Sequence, residues 1–312
     1  MISIIITSWK EPDTIAKCLK SIANKKYSGL NCEFEILQLS PDSETLNAGK
    51  EEAKKLGLNS KEYVQIKDPQ KGKPYALKMA IKRAKGKILI FTDGDTHFGE
   101  NSIPSLLEPF KEKDIGGVSG RPLSSDKKNN IFGYWGHLLS DSAHHRRCSL
   151  MRKVEGKDYY KSKNSFFPMS GYIMATRKFD FSVPDDVLSD DAYISYSIRN
   201  QNSEIAYSPK ATCYVKYPQK ISDYYKQKVR SIGGFIQLKN YGIFQKDKQS
   251  RSVLIELSYS LFVLKYAKNV RELVWSLALF PVRLLTWIKI YWERVIIKKD
   301  FSKTWVRIES TK

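Results

Sequence analysis

The chain of 312 residues is long enough for one large domain or two modest ones with a substantial core. Hydrophobic residues make up 41% and charged residues 28% of the sequence, a balance that excludes an intrinsically disordered chain. The formal net charge of +20 favours polyanionic partners, namely nucleic acid, an anionic membrane surface or phosphorylated substrates.

The first third of the chain alternates between strand and helix patterns. Strands are predicted at 3–8, 34–39, 63–66 and 87–93. Helices are predicted at 13–24, 43–57 and 74–86, with Asp13 as an N-cap and Gly57 and Gly86 as closing glycines. This alternation predicts an α/β fold in which a mostly parallel sheet is flanked by helices and binds ligands at the carboxyl ends of its strands.

The middle of the chain is less regular. Strands are predicted at 115–120, 171–177 and 213–217. Helices are predicted at 190–201 and at 221–241, where the pair Gly233–Gly234 is a candidate break. Residues 121–165 are polar and basic, and they predict one helix with long loops, including a basic loop over 144–153.

The last sixty residues change in character. The segments 252–267 and 273–292 are apolar and aromatic and have basic residues around them. Pro281, Arg283 and Lys289 interrupt the second segment, which favours an amphipathic helix lying on a membrane over a helix that spans it. A buried helical hairpin is the other alternative. We therefore predict a membrane-association segment over 246–312.

Two further features bear on the compartment. The four cysteines are widely scattered and form no CxxC pair, which favours a reducing environment. The apolar run "MISIIITS" is too short for the hydrophobic region of a signal peptide and has no basic residues before it. With the basic tail, this predicts a peripheral protein on the cytoplasmic face of the membrane.

The stretch "IFTDGDTHF" ends a buried strand with two aspartates one residue apart. In an extended chain Asp93, Asp95 and His97 project to one face. Such a set of ligands suits Mg²⁺ or Mn²⁺, which commonly also bind substrate phosphates. The alternative is a turn in which the carboxylates cap backbone N–H groups. Upstream, "KGK" at 71–73 opens a helix, and lysines at a helix N-terminus favour phosphate.

Several motifs occur in the order found in one enzyme family. They are "TSWKEPDTIAKCLKSI", "KGKPYALKMAIKRAKG", "ILIFTDGDT", "FFPMSGYIMATR", "LSDDAYISYSIR" and "QKVRS". Over roughly residues 1–235 this order resembles the inverting glycosyltransferases of family 2, which have a GT-A fold. The resemblance implies a catalytic domain over 1–245, with a nucleotide-sugar-binding half at 1–100 and an acceptor-binding half at 101–245.

The resemblance also implies roles for individual residues on the donor side. Thr7 and Glu11 match positions that contact the base and ribose, and Asp42 lies near another base-binding acid. Lys73 matches a basic position that contacts the nucleotide. Asp93 would face the ribose and Asp95 would hold the metal on the diphosphate. His97 falls where some lipid-phosphate sugar transferases carry a further metal ligand.

On the acceptor side, Asp191 matches the general base, with Asp190 beside it. Gln227 and Arg230 match the QxxRW motif that contacts diphosphate and acceptor, although Ser231 stands where the tryptophan is expected. Gly171 either allows close approach of the acceptor or only begins a strand.

These expectations combine into one functional hypothesis. It is a glycosyltransferase dependent on Mn²⁺ or Mg²⁺, which moves a sugar from a UDP-sugar to a lipid-linked or membrane-proximal glycan acceptor during polysaccharide or glycolipid biosynthesis. The alternatives are a basic nucleic-acid-binding protein and an inactive glycosyltransferase-like membrane scaffold. A dehydrogenase is disfavoured because "TSWKEPDT" contains no glycine. His137, His144 and His145 lack a convincing fourth ligand for zinc.

Overall fold

A ten-stranded mixed sheet forms the centre of the protein in a computed structural model, which describes residues 1–162, 166–244, 258–297 and 308–311. The strands are β1 Ile2–Thr7, β2 Phe34–Ser40, β3 Tyr63–Lys67, β4 Ile88–Asp93, β5 His97–Phe98, β6 Ile115–Ser124, β7 Arg152–Lys153, β8 Tyr160–Lys161, β9 Met174–Arg177 and β10 Glu204–Val215. The helices are α1 Pro12–Ala23, α2 Lys25–Ser28, α3 Ser43–Lys55, α4 Lys73–Arg83, α5 Ser102–Leu107, α6 Ile131–Leu150, α7 Asp190–Asn200, α8 Ile221–Asn240, α9 Ser260–Tyr266 and α10 Val270–Tyr291.

The sheet has the order β3-β2-β1-β4-β9-β6-β10-β8-β7, and β5 pairs with β10. The first four strands in this order are parallel, whereas β9 is antiparallel to both β4 and β6. The register sets Thr7 opposite Asp93, so the carboxyl ends of β1 and β4 meet at one edge. The predicted α/β fold is confirmed, with four neighbouring parallel strands from the first third of the chain and a further parallel pair, β6 with β10.

The core lies on both faces of the sheet because β1 alternates its side chains between them. Ile4 and Ile6 pack with Ile15 of α1, while Ile5 packs with Leu77 of α4. These three isoleucines are fully buried, and Ile2 at the start of β1 is buried as well. A strand that is apolar on both faces is typical of a parallel sheet covered by helices.

Some element boundaries differ from the predictions. Glu11, not Asp13, occupies the N-cap position of α1, because Pro12 begins the helix. The helix α8 continues through Gly233–Gly234, and a Cβ at Gly234 would lie 2.2 Å from Ser189 Oγ. Gly234 therefore allows close packing, and the glycine pair does not break the helix.

The region 121–165 is also more ordered than predicted. Strand β6 continues to Ser124, and a 20-residue helix follows over Ile131–Leu150. The basic "HHRR" segment lies within this helix and is not part of a loop. Strand β10 begins at Glu204, nine residues before the predicted start.

The C-terminal helices α9 and α10 pack against α6 and α8, and residues 252–257 of the first predicted apolar segment lie outside the described residues. Tyr134 and Ser276 share a hydrogen bond of 2.7 Å, and Trp135 Nε1 donates to the carbonyl of Trp275 at 2.7 Å. By length and composition alone, α10 could cross a membrane. Its outward face carries a line of exposed side chains, called here the apolar stripe: Val270, Val274, Leu277, Leu284, Leu285, Ile288 and Tyr291.

Replacing Gly86 by alanine tests how closely the chain after α4 approaches β1. A Cβ at Gly86 would lie 2.4 Å from the backbone nitrogen of Ser3. We expect Gly86→Ala to lower the free energy of unfolding by about 1–3 kcal/mol, because backbone must shift to relieve the overlap. Gly171→Ala is the control in urea denaturation, because its Cβ would meet no atom closer than 3.5 Å. Equal stability of the two variants would contradict this packing argument.

Candidate active site

A cavity of about 330 Å³ lies at the carboxyl ends of β1 and β4. Its walls come from the ends of the parallel strands, the start of α4, the turn before α7, and α8. The lining residues include Thr7, Ser8, Trp9, Glu11, Pro41, Asp68, Gln70, Gly72, Lys73, Asp93, Asp95, Tyr172, Asp190 and Arg230. Residues 1–100 and the second half of the chain thus both contribute side chains to this cavity.

Asp93 lies at the centre of the polar contacts. Its Oδ1 accepts a hydrogen bond from Thr7 Oγ1 at 3.0 Å and lies 2.7 Å from Lys73 Nζ. Lys73 Nζ also lies 3.7 Å from Asp190 Oδ2, so one ammonium group joins β4 to the start of α7. Burial lowers the pKa of Lys73, but the charges of Asp190 and Asp93 outweigh it and raise that pKa above its ordinary value. The lysine is therefore a fixed positive charge inside the cavity.

The turn after β4 explains the glycine between the two aspartates. Gly94 donates its N–H to the carbonyl of Thr7 at 2.9 Å, which fastens the turn to the end of β1. A Cβ at Gly94 would lie 2.6 Å from Glu11 Oε2. Glu11 is only 6% exposed, and its N–H donates to Thr45 Oγ1 at 2.8 Å. This close approach brings the Glu11 carboxylate into the cavity wall.

The same turn separates His97 from the aspartates. Thr96 donates its N–H to the carbonyl of Asp93 at 3.2 Å, so the chain is not extended here and side chains do not alternate. Asp95 lines the cavity, but His97 lies on β5 and stacks on Tyr214 at a centroid distance of 5.4 Å. Among the described residues no group of three His, Cys, Asp or Glu side chains could hold a metal ion. The predicted grouping of Asp93, Asp95 and His97 is therefore not found among the described residues, where Asp93 and Asp95 line the cavity and His97 does not.

The N-terminus of α4 also faces the cavity. Gly72 adopts φ +99°, which an L-residue rarely adopts, and Lys73 follows as the first residue of the helix. Both residues line the cavity. The free N–H groups and positive dipole of a helix N-terminus favour phosphate, as the "KGK" segment predicted.

Asp42 does not line the cavity, contrary to the prediction of a base-binding role. It is the N-cap of α3, where it accepts hydrogen bonds from the N–H groups of Thr45 and Lys10 at 2.8 and 2.7 Å. Burial raises the pKa of Asp42, but these hydrogen bonds outweigh it and hold that pKa below its ordinary value. The carboxylate thus stabilises a helix start.

Asp68 lines the cavity on this side, although the sequence analysis did not select it. It follows β3 directly, is 8% exposed, and accepts the N–H of Gln70 at 2.8 Å. Burial raises the pKa of Asp68. Its position just after a predicted parallel strand was the signal that could have identified it, since such strand ends meet at one edge.

Asp190 and Asp191 begin α7 and point in different directions. Asp190 lines the cavity at the strand ends. Asp191 instead accepts two backbone hydrogen bonds, from the N–H of Gly171 to Oδ2 at 3.1 Å and from the N–H of Ala192 to Oδ1 at 2.8 Å. Burial and the neighbouring charge of Asp190 raise the pKa of Asp191. Gly171 therefore orients a carboxylate through its backbone.

Arg230 and Gln227 lie one turn apart on α8, but only Arg230 lines the cavity, opposite the strand ends. Gln227 is partly buried and belongs to no described cavity wall. Tyr172 lines the same cavity between the two halves of the chain, a position that the sequence motifs did not reveal. Of the predicted site residues, Thr7, Glu11, Lys73, Asp93, Asp95, Asp190 and Arg230 come together in one cavity.

The motif order noted in the sequence has a counterpart in a family model. The model described as "Glycosyltransferase like family 2" matches residues 1–234. The chain belongs to glycosyltransferase family 2. The matched region contains all the strands of the sheet and every residue of the predicted site.

The curated relatives have low sequence identity to this chain. The poly-beta-1,6-N-acetyl-D-glucosamine synthase of Staphylococcus epidermidis is 24% identical over 238 residues, which cover 75% of this chain and 54% of the relative. The enzyme of the same name from Staphylococcus aureus strain MSSA476 is 23% identical over 267 residues, covering 84% and 61%. The chain thus spans little more than half the length of these family 2 relatives.

Solved structures show the same fold. The mannosyltransferase PcManGT from Pyrobaculum calidifontis, in complex with GDP-Man and Mn²⁺, has a TM-score of 0.55 at 16% identity, covering 97% of this chain and 82% of that one. GalNAc-T7 with UDP, GalNAc and Mn²⁺ has a TM-score of 0.51 at 14% identity, covering 72% and 47%. The fold of this family 2 chain is GT-A.

Proposed function

We propose that this family 2 chain is a metal-dependent inverting glycosyltransferase that moves a sugar from a UDP-sugar to a lipid-linked or membrane-proximal acceptor. One observation carries the proposal: a single cavity brings Asp93, Asp95 and Lys73 from the parallel half together with Asp190 and Arg230 from the other half. Negative charge that develops on a leaving diphosphate would face Lys73 and Arg230, and the carboxylates of the same cavity are candidates for holding a cation.

The leaving group would be stabilised from two sides. Lys73 stands at the N-terminus of α4, and Arg230 lines the same cavity from α8. Both carry fixed positive charge toward the place where a diphosphate would lie. Their effect would be largest in the transition state, when the bond between sugar and diphosphate breaks.

The composition of the wall favours a divalent cation. Among the described residues, five carboxylates line the cavity, from Glu11, Asp68, Asp93, Asp95 and Asp190, against the two cations Lys73 and Arg230. A diphosphate entering this wall alone would be repelled. Asp93 and Asp95 supply the hard oxygen ligands that Mg²⁺ and Mn²⁺ prefer, and a cation bound there would neutralise charge on the diphosphate.

Asp191 is the proposed general base. A raised pKa makes a carboxylate a better acceptor for the proton of an acceptor hydroxyl, and the N–H groups of Gly171 and Ala192 fix its orientation. Attack assisted by a base on the face opposite the leaving group inverts the anomeric carbon.

A donor screen tests the proposal directly. Purified protein is incubated with UDP- and GDP-sugars, with and without Mn²⁺ or Mg²⁺, and release of free nucleotide is measured. We expect release from a UDP-sugar only when metal is present, because a cation would offset the repulsion between the diphosphate and the carboxylates that line the cavity. Nucleotide release that is absent with every donor would refute the proposed function.

Membrane association rests on the apolar stripe of α10. Large exposed apolar surfaces mark interaction sites, and this stripe follows the helix on the side away from α6 and α8. A bilayer interface would cover it, and the basic excess of the chain would face anionic lipid.

We expect Ile288→Asp to lower binding to vesicles containing phosphatidylglycerol by roughly tenfold or more, since burying one aliphatic side chain contributes about 1.5–3 kcal/mol. Co-sedimentation measures the bound fraction. Ile221→Asp is the matched control, because Ile221 is 49% exposed and Ile288 is 55% exposed, but Ile221 lies outside the stripe. If both variants bind vesicles equally well, the stripe is not the membrane contact.

A further inference from the structure

A second cavity, of about 680 Å³, lies between α6 and the C-terminal helices α9 and α10. Tyr172 lines both this cavity and the cavity at the carboxyl ends of β1 and β4, called here the donor cavity. The two cavities therefore adjoin at one side chain. Ser170 also lines the second cavity, and it lies next in the chain to Gly171, whose N–H holds Asp191. A molecule in the second cavity would therefore sit beside the proposed base.

The charges in this wall all have one sign. Arg146, Arg147, Lys228 and Arg283 line the cavity, and its lining among the described residues contains no aspartate or glutamate. Arg146 is 7% and Arg147 is 4% exposed. Buried charges are costly unless an opposite charge compensates them.

Arg147 points to an anion most clearly. One terminal nitrogen, Nη2, donates to the carbonyl of Pro168 at 3.1 Å, but its buried Nε donates to no atom of the described residues. Within that part of the chain Arg147 has no ion pair with a carboxylate. The ring of Phe167 lies 4.8 Å from both Arg146 and Arg147, which holds the two guanidinium groups in place. Burial lowers the pKa of Arg147 and outweighs the opposing charge of Asp191.

Apart from Arg283, the side chains that α9 and α10 contribute to the cavity are mainly apolar. Val263 of α9 and Leu279, Leu284 and Trp287 of α10 line it. Leu284 also belongs to the exposed apolar stripe, so the apolar wall continues to the surface proposed to contact the membrane. One end of the cavity thus suits an anion and the other an alkyl chain.

We propose that this cavity binds the acceptor as an anionic lipid, with a phosphate group on Arg146 and Arg147 and an alkyl chain along α9 and α10. This assignment rests on the proposed function and names the class of its acceptor. Guanidinium groups bind phosphate oxygens through paired hydrogen bonds. The four cations of this cavity carry more positive charge than the single negative charge of a carboxylate ligand would neutralise, which favours phosphate as the anionic group. The accepting end of the lipid would lie at Tyr172, next to the donor.

Isothermal titration calorimetry of the full chain with dodecyl phosphate, below its micellar concentration, tests the site. We expect dodecyl phosphate to bind at least roughly tenfold more tightly than dodecyl maltoside or inorganic phosphate, because only the first satisfies both walls. Arg147→Gln should weaken it by roughly ten- to a hundredfold. Arg147→Lys keeps the charge but loses the planar guanidinium group. Its affinity for dodecyl phosphate should lie between that of the unmodified chain and that of Arg147→Gln.

Arg152→Gln is the matched control, because Arg152 is exposed and follows the same helix; its binding should equal that of the unmodified chain. Melting curves establish that each variant is folded, and Arg146→Gln replaces Arg147→Gln if the latter is not. The assignment would be overturned if dodecyl maltoside or inorganic phosphate bound as tightly as dodecyl phosphate. It would also be overturned if the folded variant of Arg147 or Arg146 bound dodecyl phosphate as tightly as the unmodified chain. Titration with UDP and Mg²⁺ is a separate measurement, so failure of the donor site is distinguished from failure of this one.

Discussion

Asp191→Asn is expected to lower the rate of sugar transfer by about 10²–10⁴, the usual contribution of a positioned general base. The substitution keeps the size of the side chain and removes its ability to accept a proton. Because Asp191 lines no wall of the donor cavity, binding of UDP should change little. Transfer kinetics and calorimetry with UDP measure the two effects separately.

The dependence on pH gives a second test of the same residue. A base must be ionised to act, and burial and Asp190 raise the pKa of Asp191. Activity should therefore be lost as pH falls through a value above about 3.9, the ordinary pKa of aspartate. The matched variant is Asp190→Asn, which removes the carboxylate 3.7 Å from Lys73 and should mainly raise the KM for the donor. An inactive Asp190→Asn beside a fully active Asp191→Asn would transfer the role of base to Asp190.

The sequence allowed the parallel half of the fold to be predicted because its signals are local. Alternating strands and helices with glycines between them determine β1 to β4, and short crossovers leave few alternatives for their arrangement. The antiparallel insertion of β9 between β4 and β6 depends on pairing over long chain separations, such as Phe91 with Met174, and has no local signature. The second half of the sheet was accordingly predicted only in fragments.

The residues of the candidate site also divide into those with a signal in the sequence and those that only the folded chain reveals. Asp93 was selected because a parallel sheet brings its strand ends together, whereas Thr7, which lies opposite Asp93, was selected through the family resemblance. His97 was misplaced because the rule of alternating side chains assumes an extended chain, and the turn held by Thr96 breaks it. Asp42 was misplaced because a capping aspartate and a ligand-binding aspartate have the same local pattern. Only the hydrogen bonds of the folded chain separate them.

Asp95→Ala is expected to lower metal-stimulated sugar transfer by about 10²–10³, the usual effect of removing one group that stabilises developing charge. Asp95 lines the cavity just after β4, so a cation bound at this edge of the sheet would lie against its carboxylate. The concentration of Mn²⁺ needed for half-maximal activity should be higher in Asp95→Ala than in the unmodified chain. Titration with Mn²⁺ in the presence of UDP measures the affinity for the cation.

Asp68→Asn is the matched control for Asp95→Ala. Asp68 is another carboxylate of the same cavity, but it follows β3, not β4, and accepts the N–H of Gln70. Its loss should change the KM for the donor and leave the Mn²⁺ requirement as it was. If Asp95→Ala kept the Mn²⁺ response of the unmodified chain, the cation would not be held at the end of β4. The five carboxylates of the cavity wall would then need another explanation, because without a cation they repel the diphosphate that the proposed reaction releases.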